Sequence, residues 1–308
     1  MLGSALAEAL LKSVEAGLIY AIMALGVYIT FRILDFPDLT VDGSFTTGAA
    51  IAALSITTGL PPIIGTILAF AGGCAAGALT GIIHTKGKIN PLLSGILMMI
   101  ALYSINLRIM GKSNISLLNQ DTVLTPLSGG YSLVIVMLLF ILVIRFMLNA
   151  FLRTEIGLAL RATGDNPRMI RSFGVHTDNT IIIGVSLSNG LVALSGGLVA
   201  QYQGYADIQS GVGMIVIGLA SVIIGEAIFG HKTIVRTTMA VILGAVLYRM
   251  IIAIALQLEL NSTDLKLLTA GIVIVALILP MTRRSMRERS ISRKRAGELL
   301  QKGGHIDA

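Results

Sequence analysis

"TEIGLALRATGDNPRMIRSFGVHTD", from Thr154 to Asp178, decides how this chain is read. The stretch is polar, basic and competent to form helix, yet the runs on either side are apolar and almost free of charge. A membrane span needs about 20 mostly apolar residues. Runs of that kind lie at roughly 14–33, 43–58, 62–84, 91–109, 131–149, 180–200, 211–229, 235–256 and 267–281. Thr154–Asp178 is therefore expected to be a loop on one face of a multi-spanning protein, and one that folds into helix.

Composition agrees. Of 308 residues, 55% are hydrophobic and 13% charged, with mean hydropathy +0.86; soluble domains carry about 25% charged residues. Trp is absent, and there are 34 glycines, which in membranes let helix backbones approach closely. The fold class expected is an all-α polytopic membrane protein with about 8–10 membrane segments. The net charge of +7 does not point to nucleic acid, because the basic residues sit in short loops and in the C-terminal tail. A single cysteine, Cys74 within an apolar run, excludes an intrachain disulfide. The first apolar run follows Lys12 and Glu15 with no basic leader or cleavage site before it, so it is expected to be a retained span.

Lys and Arg in short loops set the orientation. The opening segment and its flank hold Arg145, Arg153, Arg161, Arg168 and Arg171, and the tail holds eight basic residues from Arg283 to Lys302. With the turns at 85–90 (Lys86, Lys88) and 230–236 (Lys232, Arg236), these are expected on the cytoplasmic side. The loops at 111–130, 201–210 and 257–266 then face outside, as does the N-terminus.

Several chemistries are excluded. Gly111-Lys112-Ser113 resembles the end of a phosphate-binding loop, but Asn106 stands where that motif needs its first Gly. Near Gly87-Lys88 the upstream Gly81 is one residue too far, and Ile89 replaces the Ser or Thr. No zinc-helix signature and no Gly-x-Ser-x-Gly elbow occurs, and the four histidines are scattered. The chain is not expected to be an enzyme or to hold a cofactor or metal itself.

Polar residues break the apolar pattern in two other places. "RILDFPDLTVDGSFTTGAA", Arg32–Ala50, sets Asp35, Asp38 and Asp42 around Pro37. It reads either as a turn, with Pro37 ending one helix and Asp38 or Thr40 capping the next, or as a broken helix lining a pathway. In Ser188–Gly230, Ser188, Asn189, Ser195 and Gln201 interrupt a span, and Tyr202, Gln203, Tyr205 and Asp207 extend the polarity to its outer end. These suit interhelical hydrogen bonds with an interfacial tyrosine belt, or the outer mouth of a pathway. Gly73-x3-Gly77-x3-Gly81 suits close helix packing. Glu226 and Arg249 are ionisable residues in or near spans, expected toward opposite sides of the membrane.

In Thr154–Asp178 the pattern Thr-x2-Gly-x3-Arg-Ala-x-Gly-Asp-Asn-Pro, then Met169 and Gly174-Val175, resembles the cytoplasmic coupling segment of permease subunits of bacterial ABC importers. It is most similar to the branched-chain amino acid and ribose permease superfamily. "FPDLTVDGSFTTGAA" (Phe36–Ala50) and "ALSGGLVAQYQGYADIQSGVGMIVIGLASVIIGE" (Ala193–Glu226) resemble its tryptophan/tyrosine transport branch. The similarity covers about residues 10–280. One departure is Ile170, where relatives tend to carry a small Ala.

The resemblance implies a type II importer architecture in the bacterial cytoplasmic membrane. A permease domain would span residues 1–282, with its coupling segment at about 153–178, followed by a basic cytoplasmic tail, 283–308. Two permease chains, most simply two copies of this one, would enclose the pathway. A dimer of ATPase subunits carrying ATP and Mg would dock below, and an extracytoplasmic solute-binding protein or lipoprotein would deliver a small-molecule substrate above. Arg161, Ala162, Gly164, Asp165, Asn166, Pro167 and Arg168 would form the ATPase contact, with Pro167 in the first turn of a helix and Asp165 or Asn166 as its cap. Phe36, Asp38, Thr40, Asp42, Ser44, Asn189 and Gln201 are the pathway candidates. An amino acid, aromatic ahead of branched-chain, is the expected substrate, with other small metabolites open. The competing class is a secondary transporter or channel that needs no ATPase, since broken helices and intramembrane acids occur there too.

Overall fold

The computed structural model describes residues 2–127, 132–230, 232–257, 267, 269–271 and 274, with side chains from Glu8 onward. All but Gln257 of the loop expected at 257–266, most of the span expected at 267–281, and the tail lie outside the described residues.

The described residues form ten α-helices and one short sheet. Helix α1 (Leu2–Val27) passes into a π-helical stretch, Tyr28–Ile33, and stops before Pro37. Then follow α2 (Thr40–Thr57), α3 (Pro62–Thr85) and α4 (Pro91–Met110). A short strand β1 (Asn114–Ser116) precedes α5 (Ser132–Phe151). Helices α6 (Glu155–Asp165) and α7 (Pro167–Ser172) form the polar segment. The chain ends in α8 (Thr177–Gln203), strand β2 (Tyr205–Asp207), α9 (Met214–Phe229) and α10 (Ile234–Gln257).

Six of these helices are long and apolar enough to cross a membrane: α1 from Glu8 through its π extension, α3, α4, α5, α8 and α10. The other two expected spans are less regular. Helix α2 starts at Thr40 rather than 43 and is rich in Thr, Ser, Gly and Ala. Helix α9 has 16 residues and starts at Met214 rather than 211, because Gly213 takes φ +86° and forms a turn before it.

The helices sort by burial. Helices α1 and α8 form the centre, whereas α3, α4 and α5 present apolar side chains outward, among them Ile63, Leu139 and Phe146. In water such a surface would aggregate; in hydrocarbon it is the outer wall. The Gly73, Gly77 and Gly81 stripe of α3 does the packing its spacing predicts. A Cβ on Gly73 would overlap the backbone of Asn189, one on Gly77 that of Val185, and one on Gly81 would lie 2.8 Å from the Ile182 Cα. The stripe thus seats α3 directly on α8 and fixes the position of Asn189.

The two ends of the bundle follow the loop charges. β1 and β2 pair antiparallel, Ile115 opposite Ala206, which joins the loops at 111–130 and 201–210. The Lys12 carbonyl accepts a hydrogen bond from the Tyr202 hydroxyl (3.4 Å), so the start of α1 lies at this same end. At the other end the 85–90 turn borders Arg171–Asn179, and the residues after α9 border α6.

Candidate functional site

The first region to build is the break at residues 34–39. Asp35 sits at φ +51°, and Pro37 cannot donate a backbone hydrogen bond, so α1 cannot run on into α2. The break lies inside the protein: Phe36 is buried and meets the His84 ring edge-on at 5.2 Å, and Asp38 is fully buried. Both oxygens of Asp38 are engaged. Oδ1 accepts the Thr40 N–H (2.9 Å), and Oδ2 accepts Nδ2 of Asn189 (2.6 Å). Asp38 is therefore the residue that caps α2, and it also joins the break to α8. Thr40 Oγ1 in turn meets Thr80 Oγ1 of α3 at 2.9 Å. Gly95 of α4 lies so close that a Cβ there would come within 2.7 Å of the Leu39 nitrogen. Four helices thus converge on one polar junction.

Asp42 does something different from Asp38. Its carboxylate accepts the N–H groups of Gly213 and Ile215, both at 2.9 Å, at the N-terminus of α9. An anion placed there satisfies donors that a helix start leaves unpaired and meets the positive end of the helix dipole. Thr46, one turn on, accepts the Gly211 N–H at 3.1 Å. Ser44 is fully buried, and its hydroxyl has no partner among the described residues.

The polar residues of α8 divide. Asn189 belongs to the junction. Ser188 and Ser195 donate to the α1 carbonyls of Gly26 (2.7 Å) and Ile19 (2.8 Å), so they are interhelical ties. Gln201 lies about 18 Å further along the helix. It accepts the Val123 N–H (3.0 Å) and donates to Thr66 (2.9 Å). The structure does not bring Gln201 to the break; it stitches the outer loop to α3 and α8. Tyr202 donates to Glu15 at 3.1 Å.

The polar segment is built in two halves. Thr154 caps α6 by accepting the Gly157 N–H (3.3 Å), and Leu160 is fully buried. Thr163 meets Thr180 of α8 at 3.0 Å. A Cβ on Gly164 would overlap the Ile33 carbonyl, so only glycine lets α6 lie against the end of α1. Beyond Gly164 the character changes. Asp165, Asn166, Pro167 and Arg168 are exposed, while Arg161 and Ala162 are half-buried. Asn166 is the cap of α7, its Oδ1 accepting the Met169 N–H at 3.1 Å, with Pro167 in the first turn. Asp165 closes α6 and is not the cap. Met169 and Phe173, 52% and 73% exposed, add apolar surface to this elbow. Arg171 folds back to donate to Thr177 of α8 at 2.6 Å.

Beside the elbow is a cavity of about 460 Å³ lined by Tyr28, Arg32, Arg161, Asp165, Glu226 and Lys232 among others. Within it Arg32 Nε donates to Glu226 Oε1 at 3.0 Å, linking the π-helical end of α1 to the end of α9. Glu226 and Arg249 do lie toward opposite ends, as expected. Arg32, Thr80 and Gly95 carry no local sequence signal for these roles, because each depends on a partner at least 40 residues away. Among the described residues no group of His, Cys, Asp and Glu could hold a metal ion.

Comparison with known proteins places this architecture. Residues 9–278 match the family described as the branched-chain amino acid transport system / permease component. A tyrosine transport system permease protein of Clostridioides difficile (strain R20291) is 47% identical over 261 residues, 85% of this chain and 87% of its own length. An uncharacterized protein of Rickettsia prowazekii (strain Madrid E) is 39% identical over 186 residues, 60% of this chain and 65% of its own length. Among solved structures, an inward-facing metal-chelate type ABC transporter overlaps with a TM-score of 0.49 at 18% identity, over 89% of this chain and 85% of that one. With a family match over nearly all of its membrane part, this multi-pass chain belongs to the branched-chain amino acid transport permease family of ABC-type transporters.

Proposed function

We propose that the chain is the transmembrane subunit of an ATP-driven importer for an amino acid, with an aromatic one such as tyrosine favoured. The observation that carries this is the elbow between α6 and α7. Its outer side, Asp165–Arg168, is bare and polar, while its inner side, through Gly164, rests on the carbonyl of Ile33 at the end of α1. A subunit gripping the outer side would move the inner side with it. The load would pass from Gly164 to Ile33 and Leu34, then to the break, and so to the Asp38–Asn189 junction between α1, α2 and α8. ATP and Mg would belong to an ATPase dimer below, because this chain has no phosphate-binding loop. A second copy of the chain would complete the pathway, and a solute-binding protein would load it from the outer side. Phe36, Asp38, Thr40, Asp42 and Ser44 set the shape of the break, and here the two aspartates hold protein groups rather than an open cavity.

The substrate class is supported by the relative named as a tyrosine transport permease, 47% identical over 85% of this chain. The test is uptake into proteoliposomes holding the permease with an ABC ATPase and a solute-binding protein from the same host. Uptake of L-tyrosine that needs ATP hydrolysis and survives a proton ionophore is expected. Uptake abolished by the ionophore and indifferent to the ATPase would make the chain a secondary transporter instead.

A further inference from the structure

Arg249 is a cation inside a span, in no ion pair among the described residues. It lies eight residues before the end of α10, about 12 Å inward along the helix axis. Its guanidinium carbon stands 3.5 Å from the centre of the Tyr20 ring, and that ring stacks in turn on Phe45 of α2, centroids 6.1 Å apart. No hydrogen bond or ion pair engages the guanidinium among the described residues, and its Nε is buried and unpartnered. Glu226, the other intramembrane charge of the α9–α10 pair, is matched by Arg32.

Such a residue cannot face hydrocarbon. Intramembrane cations face the bundle interior or a water-filled cavity, and they mark substrate pathways. Here the lipid wall is on the α3, α4 and α5 side, whereas Arg249 packs on α1, the most buried helix. The planar fork of a guanidinium suits a carboxylate, which it binds through two parallel hydrogen bonds. Stacking on Tyr20 holds the guanidinium against α1.

A complementary group is close by. Glu15 of α1 is buried, has no ion pair among the described residues, and accepts the Tyr202 hydroxyl at 3.1 Å. Glu15 and Tyr20 lie five residues apart on α1, and between them Gly17 packs on Val246 of α10, three residues before Arg249. An anion and a cation, neither in an ion pair among the described residues, therefore lie on the facing helices α1 and α10. We infer that Arg249 and Glu15 receive the two charged ends of a zwitterionic α-amino acid as it enters from outside, Arg249 taking the carboxylate and Glu15 the ammonium. Tyr202 supplies an aromatic neighbour, and Phe45 backs the Tyr20 ring on which Arg249 stacks. This rests on the amino-acid reading of the function above.

The test uses the complete transporter in proteoliposomes, with labelled L-tyrosine, L-tryptophan and L-phenylalanine, and with tyramine, which lacks the carboxylate. Whichever of the three amino acids the wild type takes up serves as the reference substrate, and for the other two the same comparison is made with their decarboxylated amines. Wild-type protein is expected to prefer the amino acid strongly over its amine. Arg249→Gln is expected to raise the apparent KM for the amino acid about 10- to 100-fold, the scale of a lost charge-assisted hydrogen bond. It should also bring the amino acid and its amine within a few-fold of each other. A merely structural role of the Tyr20 stack would not move that ratio. If Arg249→Gln keeps the wild-type KM and preference, the inference is overturned. Should that variant fail to fold, Arg249→Lys decides: a KM raised about tenfold supports the assignment, and an unchanged KM overturns it. Wild-type protein that takes up none of the three amino acids would instead overturn the substrate reading, and the assignment of Arg249 with it.

Discussion

The chain carries two polar interruptions that look alike in sequence and are opposite in structure. The break with the first turn of α2, residues 34–44, and the elbow, residues 161–168, each combine Asp, a proline and a small residue at a helix junction. In the break the polar groups turn inward: Asp38 is fully buried and spends both oxygens on Thr40 and Asn189, and Asp42 caps α9. In the elbow Asp165, Asn166 and Arg168 turn outward, while Thr163 and Gly164 rest on the protein. The difference teaches which substitutions should damage the fold and which should damage an association. A buried polar group is held by its partners, so removing it strands them. An exposed one is free to serve a second molecule.

The largest effect is expected where the two regions touch. Gly164→Leu would drive a side chain into the Ile33 carbonyl, and backbone cannot yield as a flexible side chain can. A loss of about 3 kcal/mol or more is expected, seen as a collapse of folded yield in detergent. Normal yield would mean that α6 is not seated on α1. Next comes the junction. Asp38→Ala and Asn189→Ala should each cost about 2–3 kcal/mol, because each leaves a buried partner unsatisfied. A double-mutant cycle should give a coupling of about 1–3 kcal/mol. Additive effects would separate the break from α8. The smallest is Asp42→Ala, expected to cost about 1–2 kcal/mol as a lost helix cap. Thermal unfolding should show that loss, together with faster hydrogen exchange at Gly213 and Ile215. Unchanged exchange there would remove the capping role.

How much of this could be read in advance depended on the distance between partners. Asn166 capping a helix that starts at Pro167 is local, and the sequence showed it down to a choice between two residues. The Gly73, Gly77 and Gly81 stripe announced a close helix contact, but not that the contact was α8. Asp38 and Asp42 were visible as intramembrane acids. Capping of α2 by Asp38 or Thr40 was among the readings, but the tie of Asp38 to Asn189 and the contact of Asp42 with α9 were not visible, because those partners stand 151 and more residues away. Asn189 and Gln201 looked equivalent, two amides on one span, yet twelve residues of helix put one at the junction and the other in the outer loops. That Arg249 forms no ion pair among the described residues is likewise invisible until its surroundings are known.

The central claim is that the elbow is a handle for an ATPase. The most direct measurement is a mild-detergent pull-down of the tagged chain from its native host, with crosslinking and a non-hydrolysable ATP analogue, read by mass spectrometry. Wild-type protein is predicted to retain an ABC ATPase subunit. Asp165→Lys, at an exposed position, is predicted to fold with unchanged stability and to lose that subunit by about tenfold or more. Equal retention of the ATPase by both proteins, or its absence from both, would contradict the account.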